Sequence, residues 1–547
     1  MNRSICIHGH FYQPARENPW LLEVERQPSA KPFHDWNERV VAEAYATNAA
    51  ARILDSENWI IDIVDNFAAI SFDVGPTILT WLERRNPEVY RAILAADKKS
   101  QERFSGHGGA IAQAYSHMIM PLANARDKFT QVHWGIADFE HRFGRRPEGM
   151  WLPETAVDAE TLELLASQGI AFTILEPRQA GRVRPIGSES EWTDVSDGSI
   201  DTTMPYLCRL PSGRTIALFF FNAPISTDIA YGPLLDNGDR FRDRLMSAFM
   251  PDEDRPQLVH IANDGETYGH HRQFGEMALA YCLRTIEERD LAEITIYAEY
   301  LDRHPPTHEV EIREYTSWSC GHGVDRWRCD CSCCVDARPG SSQQWRGPLR
   351  EAMDWLRERC VQVYEQDMSR LVRDPWAARD DFIRVIMDRS NESVGRFLAD
   401  HAVRALTHQE KVRALTLLEM QRQAMLMYTS CGWFFDEISG IEPVQVMRHA
   451  ARAMQLLRDL GHADLEHGFT RILANAKSNA REFGNGAVVY ERLVKPSVIT
   501  LQRVGLHRIL DTFFDDADAH GGPGDPYTLT CDSCDLVDSE HHRISLG

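Results

Sequence analysis

Short apolar runs alternate with longer stretches of helical periodicity through roughly the first 300 residues. Ser4–His8, Ala68–Asp73, Gly149–Leu152, Ala171–Leu175, Ile216–Phe221, Leu258–Asn263 and Ile294–Tyr297 read as strands. Pro76–Phe104 and Asp127–Gly144 read as helices between them. Strands that are apolar throughout and alternate with helices predict parallel βα units, an α/β fold. About seven such strands fit a barrel better than an open sheet, and no glycine-rich dinucleotide fingerprint follows the first strand. After Gln344 the pattern changes. Pro348–Val372 and His408–Ser430 carry apolar residues at three- and four-residue spacing, and strand candidates are few between Trp345 and Phe483. The expected organisation is a catalytic barrel over residues 1–330, an all-α domain over 345–515 that completes its cleft, and a loose acidic tail over 516–547.

Charge narrows the partners. A formal net charge of -22 over 547 residues repels nucleic acid and anionic membrane surfaces, so neither is expected. A neutral substrate such as a sugar carries no such penalty. The apolar run near the N-terminus is broken at once by histidines, and no later run reaches the ~18 residues of a membrane helix. A cytoplasmic protein is expected, with its 12 cysteines reduced.

Candidate chemistry gathers where barrel strands end, at the C-terminal rim. His8 and His10 follow the first run, Asp73 the second, Glu154 the third, and Asp264 and Glu266 the run Leu258–Asn263. In "GMWLPETAVD", Trp151 offers an apolar wall, Pro153 stiffens the turn before Glu154, and a helix is expected to run on from Thr155. A carboxylate on a rigid turn suits attack on an anomeric carbon, with Asp264 as the partner acid. Such pairs lie ~5–5.5 Å apart in retaining enzymes and ~6.5–9.5 Å apart in inverting ones. Glu266 either orients Asp264 or binds a hydroxyl, and Asp73 either caps the helix opening at Pro76 or joins the site. Two other readings stay open. One is a metal-dependent, deacetylase-like enzyme with His8, His10, Asp73 and Asp264 as ligands. The other is a catalytically silent glucan-binding protein.

The motifs "HGHFYQP", "AYSHMIMPL", "GMWLPE" and "HIANDGETYGHH" stand in the order seen in glycoside hydrolase family 57, which the chain resembles over roughly residues 1–330. The resemblance implies an incomplete (β/α)7 barrel backed by a helical domain, α-glucan or oligosaccharide substrates, and a retaining mechanism without cofactor or metal. It places the nucleophile on Glu154 and the general acid/base on Asp264, and it brings His8 and His10 to the sugar subsite nearest the cut. The family's short H-x-H-Q-P is lengthened here by Phe11-Tyr12. The region from ~345 to 515 resembles an uncharacterised helical domain attached to some members. His271, Trp318, His322 and Trp433 are further expected sugar contacts. Trp318, His322 and Trp327 belong to a Trp- and Cys-rich loop expected over the barrel mouth. Its close thiols could instead bind zinc, but their spacing is not that of a usual zinc finger. Trp433 sits in "YTSCGWFFDEISGIE", which either forms an aromatic core cluster or plugs into the mouth. Cys531 and Cys534 form a lone CxxC in the tail.

Overall fold

The computed structural model describes residues 2–500 except 189–190, 252–253 and 337, together with residues 502–504, 506, 535–539 and 542–546. Its centre is the strand Arg3–Phe11, nine residues long and buried beyond its first residue. This strand pairs in parallel with Gln257–Asp264 along one edge. Its other edge is shared, near its start by Glu293–Ile294 and near its end by Ser71–Val74. Period-two alternation divides its side chains. Ile5, Ile7 and Phe11 join the core packed under the surrounding helices. Cys6 meets Trp151, Phe172, Phe219 and Tyr297 on the inner face, where His8 and His10 stack on Trp151.

The remaining strands curve round from Ser71–Val74. Single parallel bridges join Phe72 to Ala110 and Gly149 to Phe172, and Ala112–Gln113 pairs in parallel with Met150–Trp151. Phe172–Leu175 then pairs in parallel with Thr215–Phe220. Each expected strand is present, with shifted limits: Ala68 falls in a short 3-10 turn, and Ile294–Tyr297 gives way to a helix starting at Tyr297. The ring is barrel-like but open at one seam. Thr215–Phe220 spends its second edge on antiparallel Tyr206–Arg209, which begins an outward sheet completed by His308–Ile312, Ala180–Pro185 and Thr193–Asp194. A backbone bond of 2.8 Å from the Asn222 amide to the His260 carbonyl spans the seam.

The helix expected over Pro76–Phe104 is two helices, Pro76–Arg85 and Pro87–Arg103. Pro87 has no N–H to continue the first and forces Asn86 out of the helical region, where the Asn86 side chain caps the second. Helix Ala125–Phe143 ends at Gly144 in the left-handed conformation. No helix of the described residues is long and apolar enough to cross a membrane.

The C-terminal region is helical, built on Arg346–Met368, His408–Leu426 and Ile441–Asp459. Leu356, Leu417 and Met447 share a core with Trp20, Tyr115, Met118 and Trp134 of the first region, so the two regions pack as one hydrophobic unit. Arg379 is buried at this junction and donates to Asp127 at 2.7 Å. Within the expected loose tail, Asp535–Ser539 and His542–Leu546 pair as an antiparallel hairpin, while Cys531 and Cys534 lie outside the described residues.

Helix Ala125–Phe143 reaches the rim strand Ala112–Gln113 because Gly135 has no side chain. A Cβ there would lie 2.1 Å from the Gln113 carbonyl oxygen. On an open helix surface Gly→Ala stabilises by about 1 kcal/mol. Here Gly135→Ala is expected to destabilise by about 1–3 kcal/mol through overpacking. The urea midpoint checks the sign.

Candidate active site

Glu154 sits on the turn Pro153–Thr155, directly after the two-residue strand Met150–Trp151. Both Glu154 (φ 59°) and Thr155 (φ 51°) are left-handed, at a cost of order 1–3 kcal/mol each. No helix runs on from Thr155. The helix starts at Ala159, because Asp158 is extended and caps it through the Thr161 amide. A web of bonds holds the strained turn. The Thr155 hydroxyl donates to Gln179 Oε1, and Gln179 Nε2 donates back to the Thr155 carbonyl, both at 2.8 Å. The Trp318 amide donates to the Glu154 carbonyl at 3.1 Å. The Glu154 carboxylate itself accepts from Trp318 Nε1 at 2.9 Å and from the Ser319 hydroxyl at 2.6 Å, both on Oε2. Burial raises its pKa and the nearby Asp264 charge adds to that, while these two donors pull it back down.

Asp264 ends its strand on the far side of the same cleft. Its surface is open to the cleft, yet protein crowds it on the other sides, and this desolvation raises its pKa. The His10 charge opposes the shift and the Asp73 charge adds to it. Among the described residues no donor hydrogen-bonds its carboxylate, which does not cap the turn that follows. Gly265 leaves room for the Phe11 ring, which a Cβ would approach to 2.4 Å. Glu266 turns back into the protein. Its Oε1 accepts from the Tyr12 amide at 3.0 Å, Gln13 Nε2 at 3.2 Å and the Tyr45 hydroxyl at 2.8 Å. Burial and the Asp264 charge push its pKa up to about 7.

Behind these groups lies a buried histidine–aspartate relay. Asp73 is fully buried and bridges both histidines, Oδ1 to His8 Nε2 at 3.0 Å and Oδ2 to His10 Nδ1 at 2.8 Å. It does not cap the helix at Pro76, whose N-cap is Gly75. The second nitrogen of His10 meets His117 Nε2 at 3.1 Å, and His117 Nδ1 meets the Ser430 hydroxyl at 2.6 Å. Burial would depress the His10 pKa, but Asp73, Asp264 and Glu266 together raise it to about 9. Burial depresses both His8 and His117, the latter well below the usual value. A protonated His10 donating to Asp73 and to a neutral His117 satisfies every contact in the chain.

The cleft has a volume of about 170 Å³ and is lined by His10, Tyr12, His117, Glu154, Asp264, Glu266, His271 and Trp318 from the first region. The helical region adds Cys431, Phe434, Phe435 and Glu442. Of the expected contacts, His8, Asp73 and Trp151 form a second layer: all three are fully buried, and His8 and Trp151 stack at 5.0 Å. Trp433 is a core residue, not a sugar contact. It is 1% exposed, parallel to Tyr428, and donates to the Arg346 carbonyl. Its neighbours Phe434 and Phe435 take the place expected for it. His322 is also absent from the cleft lining and lies beside Cys333 Sγ at 3.5 Å. Trp327 is buried and donates to the Ser430 carbonyl.

Tyr12 and His117 line the cleft without having been expected there, although they lie in "HGHFYQP" and "AYSHMIMPL". The inserted Tyr12 stacks on His117 with ring centroids 3.6 Å apart. Arg16 and Glu442, also not expected there, face each other across the cleft at 3.9 Å. The metal-ligand set His8, His10, Asp73 and Asp264 does not form. Among the described residues, the groups within common ligand reach are Cys320/His322/Cys331/Cys333 and His34/Asp35/Glu38.

Comparison with known proteins agrees with this layout. Residues 33–313 match Glycosyl hydrolase family 57, and residues 342–547 match Domain of unknown function (DUF3536). Alpha-amylase 1 of Dictyoglomus thermophilum is 24% identical over 195 residues, a stretch that takes in 35% of this chain and only 24% of that protein. The fold is similar to that of an exo-type maltose-forming amylase from Pyrococcus sp. ST04, with TM-score 0.67, 16% identity, and 94% and 95% of the two chains covered. It is also similar to that of a branching enzyme from Pyrococcus horikoshii, with TM-score 0.51, 15% identity, and 97% and 100% covered.

His10 titrates near 9 when folded and near 6.5 when unfolded. Its contribution to stability is therefore complete below about pH 6.5 and lost as pH rises through about 9. In Asp73→Asn this alkaline loss is expected to shrink, because only the Asp264 and Glu266 charges remain to raise His10. Urea unfolding of both proteins between these limits measures it.

Proposed function

Because the chain belongs to glycosyl hydrolase family 57, we propose that it is a retaining glycoside hydrolase or glucanotransferase acting on α-linked glucan. In this reading the first region is an incomplete (β/α)7 barrel, with Glu154 the nucleophile and Asp264 the acid/base. One observation carries the assignment: two carboxyl groups face one cleft from different strand ends. Burial raises both pKa values, but among the described residues only Glu154 has donors on its carboxylate. Glu154 has two donors that stabilise its anion. Asp264 has none among the described residues, so of the two it is assigned the proton.

The reaction follows from that asymmetry. A Glu154 oxygen attacks the anomeric carbon as the glycosidic C–O bond breaks, and Asp264 gives its proton to the leaving oxygen. Asp264, now ionised, takes a proton from water or from an acceptor sugar hydroxyl. That oxygen attacks the same carbon and releases Glu154. Oxocarbenium-like charge develops next to Glu154 and is stabilised by its anion. The aromatic residues Tyr12, Trp318 and Phe434 line the cleft, and aromatic side chains suit contact with sugar rings. The names of the similar proteins, amylase and branching enzyme, support an α-glucan substrate.

Turnover of α-1,4- and α-1,6-linked gluco-oligosaccharides tests the proposal, with product configuration followed by NMR. The wild type is expected to release products of retained configuration. Asp264→Asn is expected to slow turnover by about 10²- to 10⁴-fold, and Glu154→Gln to stop it. Inverted products, or full activity in Glu154→Gln, would overturn the assignment.

A further inference from the structure

The loop that delivers Trp318 and Ser319 to Glu154 continues directly into a cluster of thiols outside the cleft. Cys320 Sγ lies 3.9 Å from Cys331 Sγ and 3.7 Å from Cys333 Sγ, and Cys333 Sγ lies 3.5 Å from His322 Nδ1. One ligand atom from each of the four residues falls within 4.8 Å of every other. Zinc–sulfur bonds of about 2.3 Å in a tetrahedron set sulfur atoms about 3.8 Å apart, and a zinc-bound nitrogen about 3.5 Å from each sulfur. The observed separations match these. They are far longer than the ~2.05 Å of a disulfide.

The local backbone is built for convergence. The ligands come as two pairs, Cys320-x-His322 and Cys331-x-Cys333. The first pair sits on a turn in which the Gly323 amide donates to the Cys320 carbonyl at 3.1 Å. Ser332, between the second pair, is left-handed at φ 61°.

Charge supplies an independent observation. Arg346, at the start of the first long helix of the second region, is fully buried. Its Nη1 donates to the Cys333 carbonyl at 2.9 Å and approaches Cys331 Sγ at 3.8 Å. Its Nη2 donates to the carbonyls of Phe434 and Phe435. Arg346 pairs at 3.9 Å with the half-buried Asp436. Three thiolates around a dication would carry one net negative charge on its other side, beside Nη1.

We propose that Cys320, His322, Cys331 and Cys333 form a closed structural zinc site that ties the Glu154-holding loop to the helical region. Four protein ligands leave no open position, so the ion takes no part in sugar chemistry. The sequence spacing is not that of a usual zinc finger because the ligands come from two separate stretches of the loop. The cluster uses Cys333 and leaves out Cys334 and Cys329.

The untagged full chain, purified under reducing conditions, is analysed for bound metal by plasma mass spectrometry. About one zinc per chain is expected. Cys331→Ser/Cys333→Ser is expected to lose it, while Cys329→Ser/Cys334→Ser, in the same loop, retains it. As a readout independent of variant folding, cobalt added to wild type stripped of zinc should give the absorption of a tetrahedral thiolate complex. Wild type that takes up neither zinc nor cobalt, a zinc content unchanged in Cys331→Ser/Cys333→Ser, or a Cys320–Cys331 or Cys320–Cys333 disulfide in the reduced protein would overturn the proposal.

Discussion

The candidate site depends on a strained turn being held in place. Two successive residues, Glu154 and Thr155, adopt left-handed conformations that side chains with a Cβ rarely take. The strain is offset by hydrogen bonds from outside the turn: Gln179 clamps Thr155 from both sides, and Trp318 and Ser319 hold Glu154 by backbone and carboxylate. The arrangement fixes the carboxylate before any substrate arrives, which is the preorganisation that proposed attack on an anomeric carbon requires. It also explains why the loop around residues 315–319 must be anchored. That loop pairs with Val157 through Thr316 and then enters the thiol cluster and the first helix of the second region.

Electrostatics act on the same frame. Asp73 gathers two histidines behind the cleft and keeps His10 cationic. The positive charge opposes the upward shift of Asp264 and Glu266, so neither acid rises as far as burial alone would take it. The chain of contacts runs on through His117 to Ser430 of the helical region. The helical region thus contributes wall residues, Phe434, Phe435 and Glu442, and also the last partner of the buried relay.

Much of this was legible in the sequence. Parallel strands buried on both faces read as apolar runs, so each of the seven expected runs contains a strand, with shifted limits. Their ends were harder. The first strand was expected to stop at His8 and continues to Phe11, because Asp73, a distant residue, satisfies the histidines inside it. The outward sheet was missed because its added strands are short, and several are laced with charges held by ion pairs such as Arg184–Glu309 and Arg182–Glu311, so no long apolar run marks them. Glu154, Asp264, Glu266, His10, His271 and Trp318, all expected at the site, line one cleft. Trp433 was misplaced because its four-residue helix sends consecutive aromatics in different directions, and only packing decides which one faces the core. His322 was drawn to the sugar by its neighbours in sequence, whereas its spatial neighbours are thiols.

The account stands on Glu154 forming a bond to sugar. Trapping that bond with an activated 2- or 5-fluoro α-glucosyl fluoride, followed by proteolysis and peptide mass mapping, is the direct measurement. The account predicts one sugar residue attached to the peptide containing Glu154, with the modification on that side chain. A sugar attached to another carboxylate, or rapid turnover of the reagent to inverted product with no adduct, would contradict it.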